Sequence, residues 1–350
     1  MSSSTLLAWA ASRLAGAKAP CDCGRNGGND DAAPAATPPP RTTLALPGYG
    51  ILFFHQLGML SHLRDRGLFA TSNVYESLVG SSAGALAAVL VACDVCPDRA
   101  VRAAHALCDE AGLYGDSLSA RLLRPAALMG RWGALVRRWL EELLPHDAHT
   151  RAEKARCRVA AVRLSAAALP LRFLSTELLT SFASRSQLID ALAASAHVPL
   201  FMDGKLWATV DDGGHRSKRR RLIDGSFLHL LLGPSRGGLL PPTTCPSCSS
   251  IKRKVVVLDP FLDQNLSWGL LQCLALPSLD SALALAAKGK AHAAELERRG
   301  VFDGLLLSLG HKEEKDDAAG GEAITVLAGA GGTSASLASS GASSAASASD

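Results

Sequence analysis

Glu76-Ser77-Leu78-Val79-Gly80-Ser81-Ser82-Ala83-Gly84, followed by Ala85-Leu86-Ala87-Ala88-Val89-Leu90-Val91-Ala92, is the stretch whose reading decides the fold. A short, partly apolar run closed by glycine reads as a strand, and the alanine- and leucine-rich run after it reads as a helix. Between them lies a G-x-S-x-G pentapeptide, Gly80 to Gly84. A serine on so sharp a strand-to-helix turn is forced outward, and only small neighbours let the turn close. The helix behind it directs its N-terminal N–H groups at the serine, where they favour developing negative charge. A small-residue turn that merely packs a helix on a sheet is the other reading of the same residues.

A second glycine turn lies upstream. Thr43-Leu44-Ala45-Leu46 reads as a strand, Pro47-Gly48-Tyr49-Gly50 breaks it, and Ile51 to Arg66 has helical periodicity up to a C-cap at Gly67. Such a unit aims backbone N–H groups into a cavity, either for a phosphate or for an oxyanion. A phosphate loop would need Gly-Lys-Ser/Thr at its end, and the chain has Leu52-Phe53-Phe54, so an oxyanion hole is the better fit. Downstream, Arg221-Leu222-Ile223-Asp224-Gly225-Ser226 puts a carboxylate at the end of an apolar run. A carboxylate beside a serine hydroxyl can take its proton during attack, although Asp-Gly also suits a plain turn.

Taken in this order, the motifs resemble the patatin-like phospholipases over residues 43 to 262. The segment Gly48 to Gly58 is similar to that family's glycine-rich oxyanion loop. Gly80-Ser81-Ser82-Ala83-Gly84 resembles its nucleophile elbow, with Gly80 and Gly84 closing the turn. Ser184 to Phe201 looks like a helix and turn of the triglyceride-lipase branch, and Val255 to Phe261 like the next strand. The resemblance implies a three-layer α/β/α sandwich with a mostly parallel central sheet. It further implies hydrolysis of fatty-acyl esters of phospholipids or acylglycerols by a Ser-Asp dyad through an acyl-enzyme. Ser82 would be the nucleophile, Asp224 the general base, and the N–H groups of Gly48, Tyr49 and Gly50 the oxyanion hole, with no cofactor. Two departures bear on this. Phe53 stands where the family has a third glycine, which a negative φ would accommodate. Asp211-Asp212-Gly213-Gly214 is a literal Asp-Gly-Gly, but it lies in a polar stretch, and a rigid strand holds a catalytic carboxylate better.

Two other functions fit the same residues. A triad esterase of the α/β-hydrolase type would need a histidine after the acid, and His229, His292 and His311 follow Asp224 without a glycine or acidic setting. A catalytically silent lipid-binding protein would tolerate Phe53, and Ser226 in place of a second glycine.

The 350 residues suffice for a large core, which with 48% hydrophobic but only 5% aromatic residues must be aliphatic. Residues 1–42 read as a possible targeting segment and a Pro/Gly-rich linker, 43–315 as the catalytic domain, and 316–350 as a Gly/Ala/Ser tail that cannot bury enough apolar surface to order itself. Residues 1–20 carry Arg13 and Lys18 and no acid, as plastid or mitochondrial transit segments do; otherwise the expectation is a cytoplasmic protein peripheral to membranes. No run of about 18 apolar residues suggests a spanning helix, so contact with a membrane or lipid-droplet surface would be peripheral.

Further strands are expected at 157–163, 171–175, 221–224 and 254–258. Helices are expected at 98–112, 119–144, 186–195 and 281–299. This alternation favours a layered α/β sheet. Cys93/Cys96 and Cys245/Cys248 have zinc-knuckle spacing, but nothing brings the pairs together, and reduced thiols without metal are the expectation. The net charge of +4 conceals a basic run, Arg216 and Lys218 to Arg221, read either as a solvated insertion or as a rim for anionic headgroups. Without an aromatic platform or recognition helix, nucleic acid is not expected as a partner.

Overall fold

The computed structural model describes residues 42–69, 75–114, 130–164, 174–211, 219–226, 254–266 and 276–306. Strand β1 (Thr42–Leu46) leads through a short 3-10 turn (Gly50–Leu52) into α1 (Phe53–Asp65). β2 (Ser77–Ser81) leads into α2 (Ala83–Ala92), and α3 (Pro97–Glu110) follows. Every residue of β1 and β2 is buried, as expected for central strands covered on both faces. Helix α2 is apolar all round and buried accordingly, apart from a half-buried Ala92. Helix α1 ends as its sequence requires. Gly67 has φ 84°, its N–H donates to Arg64 O (2.7 Å), and the Leu68 N–H donates to Leu63 O (3.0 Å), a Schellman closure.

The remaining elements are α4 (Trp132–Leu143), α5 (Ala148–Lys154), β3 (Cys157–Leu164), β4 (Leu174–Leu179), α6 (Arg185–Ser195), β5 (Ala208–Asp211), β6 (Arg219–Ile223), β7 (Lys254–Val257), α7 (Leu279–Arg298) and the single turn α8 (Asp303–Leu306). Ser184 caps α6 by accepting the Gln187 N–H, while the Gln187 side chain accepts the Ala183 N–H in return. Helix α4 turns Val136, Trp139, Leu140 and Leu143 inward, which makes the described part of the long amphipathic pattern a core helix. Residues 119–129 and 171–173 of the expected elements lie outside the described residues, and β4 continues to Leu179. Three elements are additions to the sequence reading, the single turn α8 among them. Helix α5 is a short polar turn, and β5 is a strand within the stretch read as merely polar.

The sheet pairs in the order β5-β6-β3-β2-β1-β7, with β4 also on β3. Strands β7, β1, β2 and β3 pair in parallel; β4 and β6 oppose β3, and β5 opposes β6, so five of the seven strands share one direction. This mostly parallel sheet flanked by helices is the layered α/β architecture expected.

The pairing of β3 positions the site. β4 occupies one edge of β3 from Val159 to Leu164. β2, paired at Cys157–Ala160, and β6, paired at Val162–Leu164, must therefore share the other edge. They approach each other head-on. Ser81 opposes Ala160 and Ile223 opposes Val162, leaving only Ala161 between the two strand ends. The next residues off those ends are Ser82 and Asp224.

Candidate active site

Ser82 is the residue between β2 and α2, with φ 50° and ψ −127°. Such a backbone is strained for a non-glycine residue, at a cost on the order of 1–3 kcal/mol, and persists only where the surroundings enforce it. The enforcement is visible. A Cβ on Gly84 would lie 2.2 Å from Leu46 O, one on Gly80 2.6 Å from the Ala85 backbone, and one on Gly48 2.4 Å from Ser82 Cβ. The Ser82 N–H donates to Ser195 Oγ (2.8 Å), and Ser195 Oγ donates to Ala160 O (2.6 Å), so the elbow is pinned to β3 through the end of α6.

Asp224 is buried at 4% exposure. Its backbone N–H donates to His197 O (2.8 Å), the Gly225 N–H donates to Ser195 O (2.9 Å), and the Ser226 N–H donates to Asp224 Oδ1 (2.7 Å). Ser195 therefore holds both the elbow and the Asp224 turn. Ser195 falls in the stretch singled out in the sequence, but no signal in it assigned this bracing role. Gly225 is packed so closely that a Cβ would lie 2.1 Å from Ala160 O.

The Gly48 turn closes the arrangement. The Gly48 N–H donates to Ser226 Oγ (3.0 Å) and Ser81 Oγ (3.2 Å), and those hydroxyls lie 2.6 Å apart. In this state the Gly48 N–H is thus directed at two serine hydroxyls. Gly50 has φ 52°, whereas Phe53 has φ −57° and enters α1 with helical geometry. The family's third glycine is therefore not required by the backbone here. Phe53 is buried against Phe54 and meets Trp139 edge-on at 5.5 Å. Tyr49 is held by the turn after β7: its hydroxyl donates to Asp259 (3.3 Å) and its ring meets Phe261 at 4.8 Å. Gln56 Nε2 ties Pro47 O (2.7 Å) to Leu258 O (3.2 Å) beneath them.

The rival Asp211-Asp212-Gly213-Gly214 stretch is described only at its first residue. Asp211 opposes Arg219 at the far end of β5, three residues, about 10 Å, from the Ala208–Leu222 pair beside Asp224. Asp212 lies outside the described residues. Among the histidines, His55 and His292 flank Asp263 between α1 and α7. His55 Nε2 is 2.9 Å from Asp263 Oδ2, and His292 Nδ1 is 3.7 Å from Oδ1. Burial pushes both imidazoles below their ordinary value despite the carboxylate. Asp263, which burial alone would raise, is held below the usual range by the His55 hydrogen bond and the Asn265 N–H. His229 and His311 lie outside the described residues.

The basic run is more engaged than its sequence suggests. Arg219 faces Asp211 (3.7 Å), Arg220 pairs with Glu177, and the Arg221 guanidinium lies 4.8 Å over Trp207. Arg219–Arg221 belong to a sheet strand, not an insertion loop. Cys93 closes α2 and Cys96 precedes the first residue of α3, and burial pushes the Cys93 thiol up to about 12; Cys245 and Cys248 lie outside the described residues. No helix among the described residues is long and apolar enough to cross a membrane.

Residues 44–229, which contain the Gly48 turn, the elbow and Asp224, match the family model of the patatin-like phospholipases. The chain belongs to that family. Among curated proteins none matches it. A solved structure with partial likeness is the heterodimeric ExoU–SpcU complex from the type III secretion system of Pseudomonas aeruginosa, at 15% identity and TM-score 0.39. The match covers 75% of this chain and 52% of that one, so this patatin-like chain spans about half the length of that neighbour.

Proposed function

We propose that the chain is a lipid acyl hydrolase in which Ser82 attacks the carbonyl of a fatty-acyl ester and Asp224 accepts its proton. The observation that carries the reading is the head-on approach of β2 and β6 along one edge of β3, which leaves a strained serine and a buried carboxylate at facing strand ends. Family membership supports the substrate class at the level of lipid esters. As Ser82 Oγ bonds to the carbonyl carbon, the oxyanion develops toward the Gly48–Tyr49–Gly50 segment at the N-terminus of α2, where N–H donors stabilise it. The Gly48 N–H joins them by exchanging the Ser226 and Ser81 hydroxyls for the oxyanion. Collapse breaks the ester C–O bond, and Asp224 returns its proton to the departing alcohol. Water, deprotonated by the same carboxylate, then cleaves the acyl-enzyme and releases the fatty acid.

The test is a product profile on mixed phospholipids and acylglycerols, with Ser82→Ala as control. Release of fatty acid by the parent and not by the variant is expected, with unchanged melting. Equal release by both overturns the assignment. A folded parent that binds lipid and releases nothing identifies a silent member of the fold.

A further inference from the structure

Three large apolar side chains are exposed among the described residues: Leu200 (51%), Leu206 (53%) and Phe261 (39%). They are not scattered. Leu200 and Leu206 lie on the turn from α6 to β5, whose first residues brace Asp224, and Phe261 lies on the turn that holds Tyr49. The three thus belong to the two turns supporting opposite sides of the proposed site.

The 198–207 turn is built to keep its leucines out. Leu200 has φ 66°, a left-handed backbone that a leucine rarely adopts. The turn is closed from within, since Lys205 O accepts the Leu200 N–H (2.8 Å) and lies 3.2 Å from His197 Nε2. It is anchored from behind, where Phe201 O and Met202 O accept the N–H groups of Gly130 (2.9 Å) and Gly133 (2.8 Å), with Met202 buried. A rigid turn that buries Met202 while exposing two neighbouring leucines fits a partner that is itself apolar.

The charge nearby narrows the choice. Among the described residues from Asp203 to Arg221, four side chains are cationic (Lys205, Arg219, Arg220, Arg221) and two acidic (Asp203, Asp211). Lys205 and Arg219 are among the more exposed, even though each faces a carboxylate. We infer that Leu200 and Leu206, with Phe261 across the site, form a docking rim that inserts into the interface of an anionic phospholipid bilayer. Leucines enter the acyl boundary while the surrounding cations meet the headgroups. This rests on the proposed lipid hydrolase reading for its orientation, but its test is a binding measurement that needs no catalysis.

The experiment is co-sedimentation of the full chain with vesicles of equal parts phosphatidylcholine and phosphatidylglycerol, and with phosphatidylcholine alone. The protein is compared with Leu200→Asn/Leu206→Ser, in which asparagine retains tolerance for the left-handed backbone. The expected result is binding to the anionic vesicles, weakened about tenfold or more in the double variant, with melting and turnover of a soluble short-chain ester unchanged. Undiminished vesicle binding by the double variant overturns the inference. So does equal binding of the parent to both vesicle types, or binding to neither together with association to a protein partner through the same leucines. Absence of short-chain esterase activity in a parent that still binds through the leucines removes the catalytic reading and leaves the rim.

Discussion

Glycine solves the same steric problem at the elbow and at the crossing of α1 with α7, but the two regions use the solution differently. At the crossing, a Cβ on Gly58 would lie 1.9 Å from Ala286 O, and one on Gly289 1.9 Å from His55 O. Neither glycine has a positive φ, so they are needed purely for space, letting two helices approach to backbone contact. At the elbow, Gly48, Gly80, Gly84 and Gly225 also clear space that a Cβ would fill, yet the residue they surround is a serine with φ 50°. Tightness at the crossing holds the protein together. At the elbow, tightness also holds one hydroxyl-bearing residue in a conformation it would not choose. Substitutions should therefore separate activity from stability in opposite ways in the two regions.

The largest expected effect is at Asp224. Asp224→Asn keeps an oxygen for the Ser226 N–H and should leave melting nearly unchanged, while kcat on a lipid ester falls about a thousandfold or more, as expected for a member of a unit that works together. Asp212→Asn should be mild. The reverse ranking would move the base to Asp212. Next comes Gly289→Ala, which forces α1 and α7 apart and should cost about 3 kcal/mol of unfolding free energy. Activity per folded molecule should persist. If thermal melting is unchanged, the crossing is looser than its geometry indicates.

How far the sequence alone led is plain from these same regions. The turns at Gly48 and Gly80–Gly84 and the Schellman end at Gly67 were legible because local backbone demands select glycine. The buried alternation of strand and helix was legible from apolar runs. The meeting of β2 and β6 was not, because it depends on two strands more than a hundred residues apart in the chain both pairing with one edge of β3. Ser195 and the Ser81–Ser226 hydroxyl pair were equally hidden, since nothing local distinguishes a bracing serine from a solvated one. β5 was missed because an edge strand needs little apolar sequence, and Arg219 and Arg220, which begin β6 ahead of the expected strand at 221–224, looked like loop for the same reason.

A smaller effect is expected from pH, acting at the crossing. His55 and His292 are held below their ordinary value of 6.5, so the unfolded chain takes up protons that the folded cluster resists. Their contribution to stability is thus present above about pH 6.5 and is lost as pH falls below it. Asp263, shifted down, loses its own contribution only on further acidification below its ordinary 3.8. The charges facing the cluster include Lys288, Glu295 and Arg299. Denaturant titrations of the parent and His292→Asn from neutral to mildly acidic pH should show a shallower slope in the variant. An unchanged slope would place the acid sensitivity elsewhere. The elbow holds no histidine partner in this cluster, so turnover measured on folded protein should not follow the same curve.

The smallest effect concerns the basic run. Arg220 is engaged with Glu177 and Arg219 only loosely with Asp211 (3.7 Å), while Lys218 lies outside the described residues, so Lys218 and Arg219 are the pair to neutralise. Lys218→Gln/Arg219→Gln should weaken binding to anionic vesicles by about tenfold at most, given roughly 1 kcal/mol per near-surface cation reduced by pairing. The loss should shrink as salt rises. An equal loss on a soluble ester would instead give the pair a structural role beside β5.

The central claim is that the strained serine between β2 and α2 is a nucleophile. Its most direct test is labelling of the folded protein with an alkylphosphonate serine probe, with the adduct located by peptide mass spectrometry. The account predicts a single stoichiometric adduct on Ser82, absent from Ser82→Ala and strongly slowed in Asp224→Asn. An adduct on another serine, or undiminished labelling of Ser82→Ala, would contradict it.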